Sequence, residues 1–466
     1  MTSTLEPAGP EMRRLVELAV DRIVAHIESL PSQPSVDVEG AVELARSLSE
    51  PLPETPTPYA QLLDLLFERA VPKSFNTAGP GYLAYIPGGG LFHTAVADLI
   101  ADAVNRYVGV WAAAPALVQL EANVGRWFCD VVGYPAGALG LLTSGGSLAN
   151  FTAVVTARRE RLPEDFLRGV LYASDQVHHS IQKAAMLAGF PPQNVHAVAS
   201  DARFRLDLEA LRSAIAADRA AGRTPFLVVG NAGTTNTGAV DELAALADLA
   251  GTEGLWLHVD AAYGGFFQLT ERGRGAFAGI ERADSITLDP HKGMFLPYGT
   301  GSLVVRDGAR LREAHFVGAA YLQDFPPEDE LPNFTEYSPE LSRDFRGLRV
   351  WFPLVLHGVD AFREALDEKL DLARYLYEEL STIPELELPW EPELTVVPFR
   401  LRDGSDEADR RLLDLINASK RVVLSSTVVE ERFTIRACIL SHRTHRDRID
   451  ECAQIVRRAA ADVTGR

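Results

Sequence analysis

Between residues 169 and 305 short apolar runs alternate with amphipathic stretches, and few folds accommodate that alternation. The runs fall at 169–173, 195–199, 226–230, 255–260, 285–288 and 302–305. Each has the length and apolar, β-prone content of a buried strand. Helical patterns at 207–217 and 241–250 lie between them. Strands separated by helices read as an α/β fold with a mostly parallel central sheet flanked by helices. In such sheets ligands bind beyond the carboxyl ends of the strands, so polar residues just past each run are the first candidates for a site.

The flanks differ from this middle. Pro10 opens a helical pattern carried by Met12, Leu15, Ala19, Ile23, His26 and Leu30. Prolines at 31, 34, 51, 53, 56 and 58 then break any long element. Another helix is expected from Pro115, with Leu117, Leu120, Val124, Trp127 and Val131 on one face. Beyond residue 348 a long helix (Val359, Phe362, Leu366, Leu370, Ala373, Leu376, Leu380) leads to short strands near 395–399 and 433–439 and a last helix from Arg446. The chain therefore divides into an N-terminal helical segment, 1–84, a large α/β unit, 85–348, and a small C-terminal α+β unit, 349–466.

The chain has 466 residues, 47% of them hydrophobic, enough to fill the cores of two or three such units. Its formal net charge of −19 argues against a nucleic-acid partner, whose phosphates need a basic face. No apolar run approaches the roughly 18–20 residues of a membrane helix. The opening residues, MTSTLEPAGPEMRR, contain no apolar core, so no secretory signal is expected. Cys129, Cys438 and Cys452 are odd in number and far apart. They suit neither a disulfide framework nor a metal site, and they fit a reducing cytoplasm.

Five motifs sit where the fold puts ligands. Lys292 follows the run 285–288 within Asp-Pro-His-Lys at 289–292. A lysine buried there would have a lowered pKa and could condense with an aldehyde; the plainer reading is a surface lysine after a turn. Asp260 ends the run 255–260 and is followed by Ala261, Ala262 and Tyr263. Such a carboxylate can hold a pyridine nitrogen protonated, with the small Ala262 leaving room for a flat ring, or can merely cap a turn. Residues 143–150, Thr-Ser-Gly-Gly-Ser-Leu-Ala-Asn, open a helix whose glycines and free N–H groups suit a phosphate, although a serine-capped helix is common. His178 and His179 follow the run 169–173, where either could stack on a ring and move protons. Thr235 lies in Gly-Thr-Thr-Asn-Thr-Gly at 233–238, where a hydroxyl could reach a ring substituent. No P-loop, Gly-x-Gly-x-x-Gly, His-Glu-x-x-His or Gly-x-Ser-x-Gly occurs.

In the order phosphate loop, His, Thr, Asp, Lys, the set resembles the fold type I enzymes that use pyridoxal 5′-phosphate (PLP). It is most similar to the group II decarboxylases, which include aromatic-L-amino-acid, histidine and glutamate decarboxylases. The most specific pairing is His-Val-Asp-Ala-Ala-Tyr at 258–263 with Pro-His-Lys at 290–292. Residues 82–87, 111–115 with Glu121, 174–178 and 343–352 extend the likeness over most of the chain. The resemblance implies that Lys292 carries PLP as a Schiff base and that Asp260 pairs with the pyridinium nitrogen. It puts Ala262 and His178 on the two ring faces, His178 rather than His179 by its spacing from Asp175. Thr235 would face the 3′-oxygen, Gly146, Ser147 and His291 would surround the phosphate, and Tyr85, Gly88 and Trp111 would border the substrate. The implied activity is decarboxylation of an L-amino acid to its amine and CO₂ by a cytoplasmic homodimer whose N-terminal helices pack on the partner.

A Pro- and acid-rich stretch, 321–341, reads as a lid. Tyr321 matches in spacing the family's lid tyrosine, which is thought to protonate Cα after CO₂ leaves; phenylalanine there goes with aldehyde-forming relatives. The plainer role is a lid anchor. The chain departs from the aromatic-acid enzymes at Gly293, Gly88 and Val110, all near the implied substrate pocket, which leaves the substrate side chain open. Rival readings on the same scaffold are an aldehyde synthase, an aminotransferase or other lyase, and a non-catalytic PLP-fold protein.

Overall fold

The computed structural model describes residues 5–318 and 331–465; Tyr321 lies outside them. The first part of the chain is helical: α1 (Gly9–Ser29), α2 (Ala41–Ser47), α3 (Tyr59–Asp64), α4 (Phe92–Val104) and α5 (Pro115–Val131). Strand β1 (Leu139–Thr143) then begins a seven-stranded sheet. The sheet continues through α6 (Gly146–Arg161), β2 (Gly169–Ser174), α7 (Ser180–Leu187), β3 (Val195–Val198), α8 (Leu208–Ala220), β4 (Thr224–Asn231), α9 (Leu243–Glu253) and β5 (Trp256–Asp260). It closes with α10 (Glu271–Ala276), β6 (Ser285–Leu288), α11 (Pro290–Gly293), β7 (Gly301–Val305) and α12 (Gly308–His315).

The strand order is β1-β7-β6-β5-β4-β2-β3, and only β7 runs against its neighbours. The mostly parallel α/β sheet expected from the alternation is therefore present. Strands β2, β5 and β6 are buried along their whole length, as they must be when helices cover both faces. One helix start follows from the sequence directly: Asp207 caps α8 by accepting from the N–H groups of Glu209 and Ala210. Strand β1 was not among the expected strands; it pairs antiparallel with β7 at the sheet edge.

The C-terminal part comprises α13 (Arg346–Ser381), β8 (Leu386–Glu387), β9 (Val396–Leu401), α14 (Asp406–Ala418), β10 (Ser425–Val429), β11 (Arg432–Cys438) and α15 (Arg446–Thr464). Its strands form an antiparallel sheet ordered β10-β11-β9-β8. Helix α13 bends at Gly358, whose φ of +73° is outside the helical region. The segment before β1 also joins this small sheet. Leu83 donates its N–H to the Val423 carbonyl and accepts from Cys438, so the chain is stitched end to end.

A buried ion pair explains why two distant stretches, around Glu121 and after Arg343, belong together. Arg343 Nη2 donates to Glu121 Oε1, and both side chains are essentially inaccessible. Glu121 Oε2 accepts from the Gly347 N–H at 3.1 Å, tying α5 to the start of α13. A Cβ on Gly347 would come within 2.5 Å of the Glu121 Cβ, so only glycine permits this approach.

Candidate active site

The carboxyl ends of the co-directional strands β1, β2, β4, β5 and β6 converge on one cavity of about 280 Å³. Register brings Asn231, Asp260 and Thr287 side by side on β4, β5 and β6, so three polar side chains share one rim. All eight residues expected around the cofactor line this cavity: Gly146, Ser147, His178, Thr235, Asp260, Ala262, His291 and Lys292. They come from five separate chain segments, and only the fold unites them.

Asp260 is 6% exposed and held at both oxygens. Oδ1 accepts from the Ala262 N–H at 3.1 Å, and Oδ2 accepts from Asn150 Nδ2 at 2.9 Å. Asn150 is the hub of a buried network. Its Nδ2 also donates to Ser180 Oγ (2.8 Å), while its Oδ1 accepts from Thr287 Oγ1 (2.7 Å) and His258 Nε2 (3.0 Å). The opposite amide orientation would set two acceptors against each other, so the network fixes it. His258 therefore carries its proton on Nε2. Its Nδ1 accepts from Ser285 Oγ, which itself accepts from Trp256 Nε1. Burial holds His258 well below the ordinary imidazole pKa, at about 4, so the ring is neutral.

His178 and Ser180 both line the cavity. The His178 Nδ1 meets Ser180 Oγ at 2.8 Å and receives the Ser180 N–H at 3.3 Å. Because Ser180 Oγ already accepts from Asn150, it donates its own hydrogen to His178, leaving Nδ1 as acceptor and Nε2 protonated. Burial lowers the His178 pKa, with the Asp260 charge opposing it. The neighbouring His179 does not line the cavity.

Lys292 contradicts one expectation. Burial was expected to lower its pKa, and burial does pull in that direction, yet the net shift is upward. The reason is Asp289, one helical turn earlier, whose Oδ2 lies 2.9 Å from Lys292 Nζ; Asp260 adds to the effect. In the cofactor-free chain Lys292 is an ammonium. His291 donates from Nδ1 to the Thr300 carbonyl at 2.7 Å, which turns Nε2 towards Asp289 Oδ2, 3.8 Å away.

The residues fit PLP on three structural grounds. No side chain caps the start of α6, and among the described residues nothing accepts from the Gly146 and Ser147 N–H groups, which leaves both for an anion. Gly145, at φ 157° and ψ 172°, adopts a backbone essentially reserved for glycine, and a Cβ on Gly301 would lie 2.4 Å from the Gly145 carbonyl carbon. The phosphate loop is thus pressed against β7 without side chains in the way. Finally, Lys292 is the only lysine in the cavity lining, and Asp260 lies in the same wall.

The implied substrate residues fare differently: Tyr85, Gly88 and Trp111 stand outside this lining. Tyr85 is 57% exposed, its N–H donating to Ser425 Oγ and its carbonyl accepting from Arg436 Nη2. Trp111 opens a short turn ahead of α5, with its N–H on Asn333 Oδ1. Gly88 backs onto the site. A Cβ there would meet the His291 carbonyl at 2.8 Å and the Tyr298 ring at 3.4 Å, so the missing side chain lets this strip touch the lysine turn. Asn150, Ser180, Asn231 and Asp289 also line the cavity, and sequence reasoning assigned them no role. Asp289 alone carried a visible signal, three residues before Lys292 across one helical turn.

Among the described residues no helix is long and apolar enough to cross a membrane, and no cluster of three metal-binding side chains occurs. Residues 43–402 match the pyridoxal-dependent decarboxylase conserved domain. The chain is 35% identical to the aromatic-L-amino-acid decarboxylase of Bacillus atrophaeus over 100% of its own length and 98% of that protein. It is 27% identical to the phenylacetaldehyde synthase of Arabidopsis thaliana, covering 98% of this chain and 97% of that one. The crystal structure of Oryza sativa TDC with PLP and tryptamine superposes with a TM-score of 0.93 at 26% identity, covering 99% of both chains. A lysine and a carboxylate facing a glycine-lined anion cradle, together with these likenesses over the full length, establish that the chain belongs to the pyridoxal-dependent decarboxylases.

Proposed function

We propose that this enzyme decarboxylates an L-amino acid to the corresponding amine and CO₂, with Lys292 as the residue that bonds the cofactor. The observation that carries the reading is the convergence of eight expected residues on one cavity, with Lys292 and Asp260 both lining it. PLP supplies the electron sink that takes up the pair left when the Cα–carboxylate bond breaks. The chain does the rest. Asp260, aimed by Ala262 and Asn150, would pair with the ring nitrogen. Were PLP bound, Ala262 and His178 would flank its ring, Thr235 would lie near the ring hydroxyl, and Gly146, Ser147 and His291 would hold the phosphate. Tyr321 returns a proton to Cα, so that the product leaves as an amine.

The relative named an aldehyde synthase makes the fate of that carbon the point to test. Amino acids, aromatic ones first because of the decarboxylase relative's name, are supplied while CO₂, amine, aldehyde and hydrogen peroxide are measured together. Amine and CO₂ in equal amounts are expected. Aldehyde with peroxide and no amine would reject the reading. Tyr321→Phe is expected to keep PLP bound while moving product towards aldehyde, and an unchanged amine yield would remove Tyr321 from the proton step.

The working unit we infer is a cytoplasmic homodimer. Supporting it, α1 has no buried residue, and Met12, Val16, Val20 and Val24 form an exposed apolar stripe at four-residue spacing, which a second copy would cover. Three buried free cysteines suit a reducing compartment. Light scattering at micromolar concentration should give twice the chain mass; the mass of one chain would refute the dimer.

A further inference from the structure

The contact between Asp289 and Lys292 has a use beyond the cofactor-free state. Asp289 is 1% exposed, lines the cavity and places Oδ2 2.9 Å from Lys292 Nζ. Its other oxygen, Oδ1, is buried with no hydrogen-bond partner among the described residues. A buried carboxylate half-satisfied in this way is costly unless a cation stays beside it. Nothing else nearby fills that need as closely: His291 Nε2 is 3.8 Å from Oδ2. Asp260, His178, Cys438 and Tyr298 also face Lys292, and each influences its charge, but the direct contact is Asp289's.

Resting on the function proposed above, we propose that Asp289 is a docking carboxylate for Lys292 whenever the lysine is free of the cofactor, holding it protonated and to one side. Lys292 is freed in every turnover. As the substrate nitrogen took over the cofactor carbon, the Lys292 nitrogen would leave it, and the two protons given up by the substrate ammonium would join the one already on the linkage nitrogen, making Nζ an ammonium. One carbon–nitrogen linkage forms, one breaks, and the charge is unchanged. The ammonium then has a partner already in place. A lysine held in this state can donate a proton but cannot accept one, so it is no base towards the Cα hydrogen. Bond breaking is thereby left to the carboxylate, and Asp289 acts as a positioning residue that works through Lys292.

The test reads the lysine itself. Full-length protein freed of cofactor is labelled with trace acetic anhydride across a pH series, and acetylation at Lys292 is followed by peptide mass spectrometry. In Asp289→Asn the midpoint is expected to fall by about one pH unit or more, so that labelling at neutral pH rises about tenfold or more. Asp289→Ser, checked by circular dichroism, carries the same expectation and stands in if the asparagine variant does not fold. A purely structural role for Asp289 would not move this midpoint. An unchanged midpoint in a folded variant overturns the inference, while the function above stands as long as the wild-type chain still binds PLP. If the wild-type chain takes up no PLP at Lys292, the functional reading itself fails.

Discussion

Lys292→Ala abolishes the visible absorbance of bound PLP and reduces CO₂ release by at least about 10⁴-fold, since nothing in the cavity replaces the covalent bond to the cofactor. No other lysine lines the cavity. The guanidinium of an arginine does not substitute, because it stays protonated at any accessible pH and does not condense with an aldehyde. Alanine carries a second effect that must be separated from the first: it leaves Asp289 buried without its cation, and an uncompensated buried charge destabilises the fold. Lys292→Arg removes that ambiguity, because it keeps a positive charge near Asp289 while remaining unable to bond the cofactor. Both variants are therefore expected to lose the absorbance and the activity, with arginine retaining more of the wild-type melting temperature. Persistence of the absorbance in either one would show that another residue holds PLP.

The same contrast shows what a single sequence conveys. The strand runs at 255–260 and 285–288 were legible because parallel strands covered on both faces must be largely apolar, and Asp260 at the end of the first and Lys292 just past the second were readable as site residues. Strand β1 was not legible. Leu139–Thr143 is short, lies close to glycines at both ends, and gains its identity only from pairing with β7, far along the chain. Asn150 was visible as the end of a loop motif, yet its role depends on four side chains from α7, β5 and β6 that no local pattern announces. The upward Lys292 shift differs from the expectation for another reason: burial alone would lower the pKa, but Asp289, in the same motif, supplies a counter-ion that outweighs it. Tyr85, Gly88 and Trp111 stand outside the lining of the cavity as one chain forms it, and a pocket wall is a tertiary property that spacing along the chain does not specify.

Asp260→Asn is expected to cost nearly as much as Asp260→Ala, each lowering kcat by about 10²–10³-fold and weakening PLP binding. The expectation follows from how the carboxylate is built in. Two N–H donors, from Ala262 and Asn150, aim it, and Asn150 is in turn fixed by Thr287 and a neutral His258. A network so constrained has no slack with which to present a different group. Asparagine preserves size and planarity but removes the negative charge that keeps the ring nitrogen protonated, and it must turn an NH₂ group towards either the Ala262 N–H or the Asn150 Nδ2, donor against donor. If hydrogen bonding alone mattered, asparagine would recover much of the activity through its remaining oxygen. If charge matters, it recovers little. Steady-state kinetics with PLP in excess, alongside cofactor binding measured by fluorescence, separates the two. A fall in kcat that excess PLP does not repair is expected, since the electron sink is weakened even when the cofactor is bound. Full activity of Asp260→Asn at saturating PLP would mean that the ring nitrogen needs no anion here, and the assignment of Asp260 would be withdrawn.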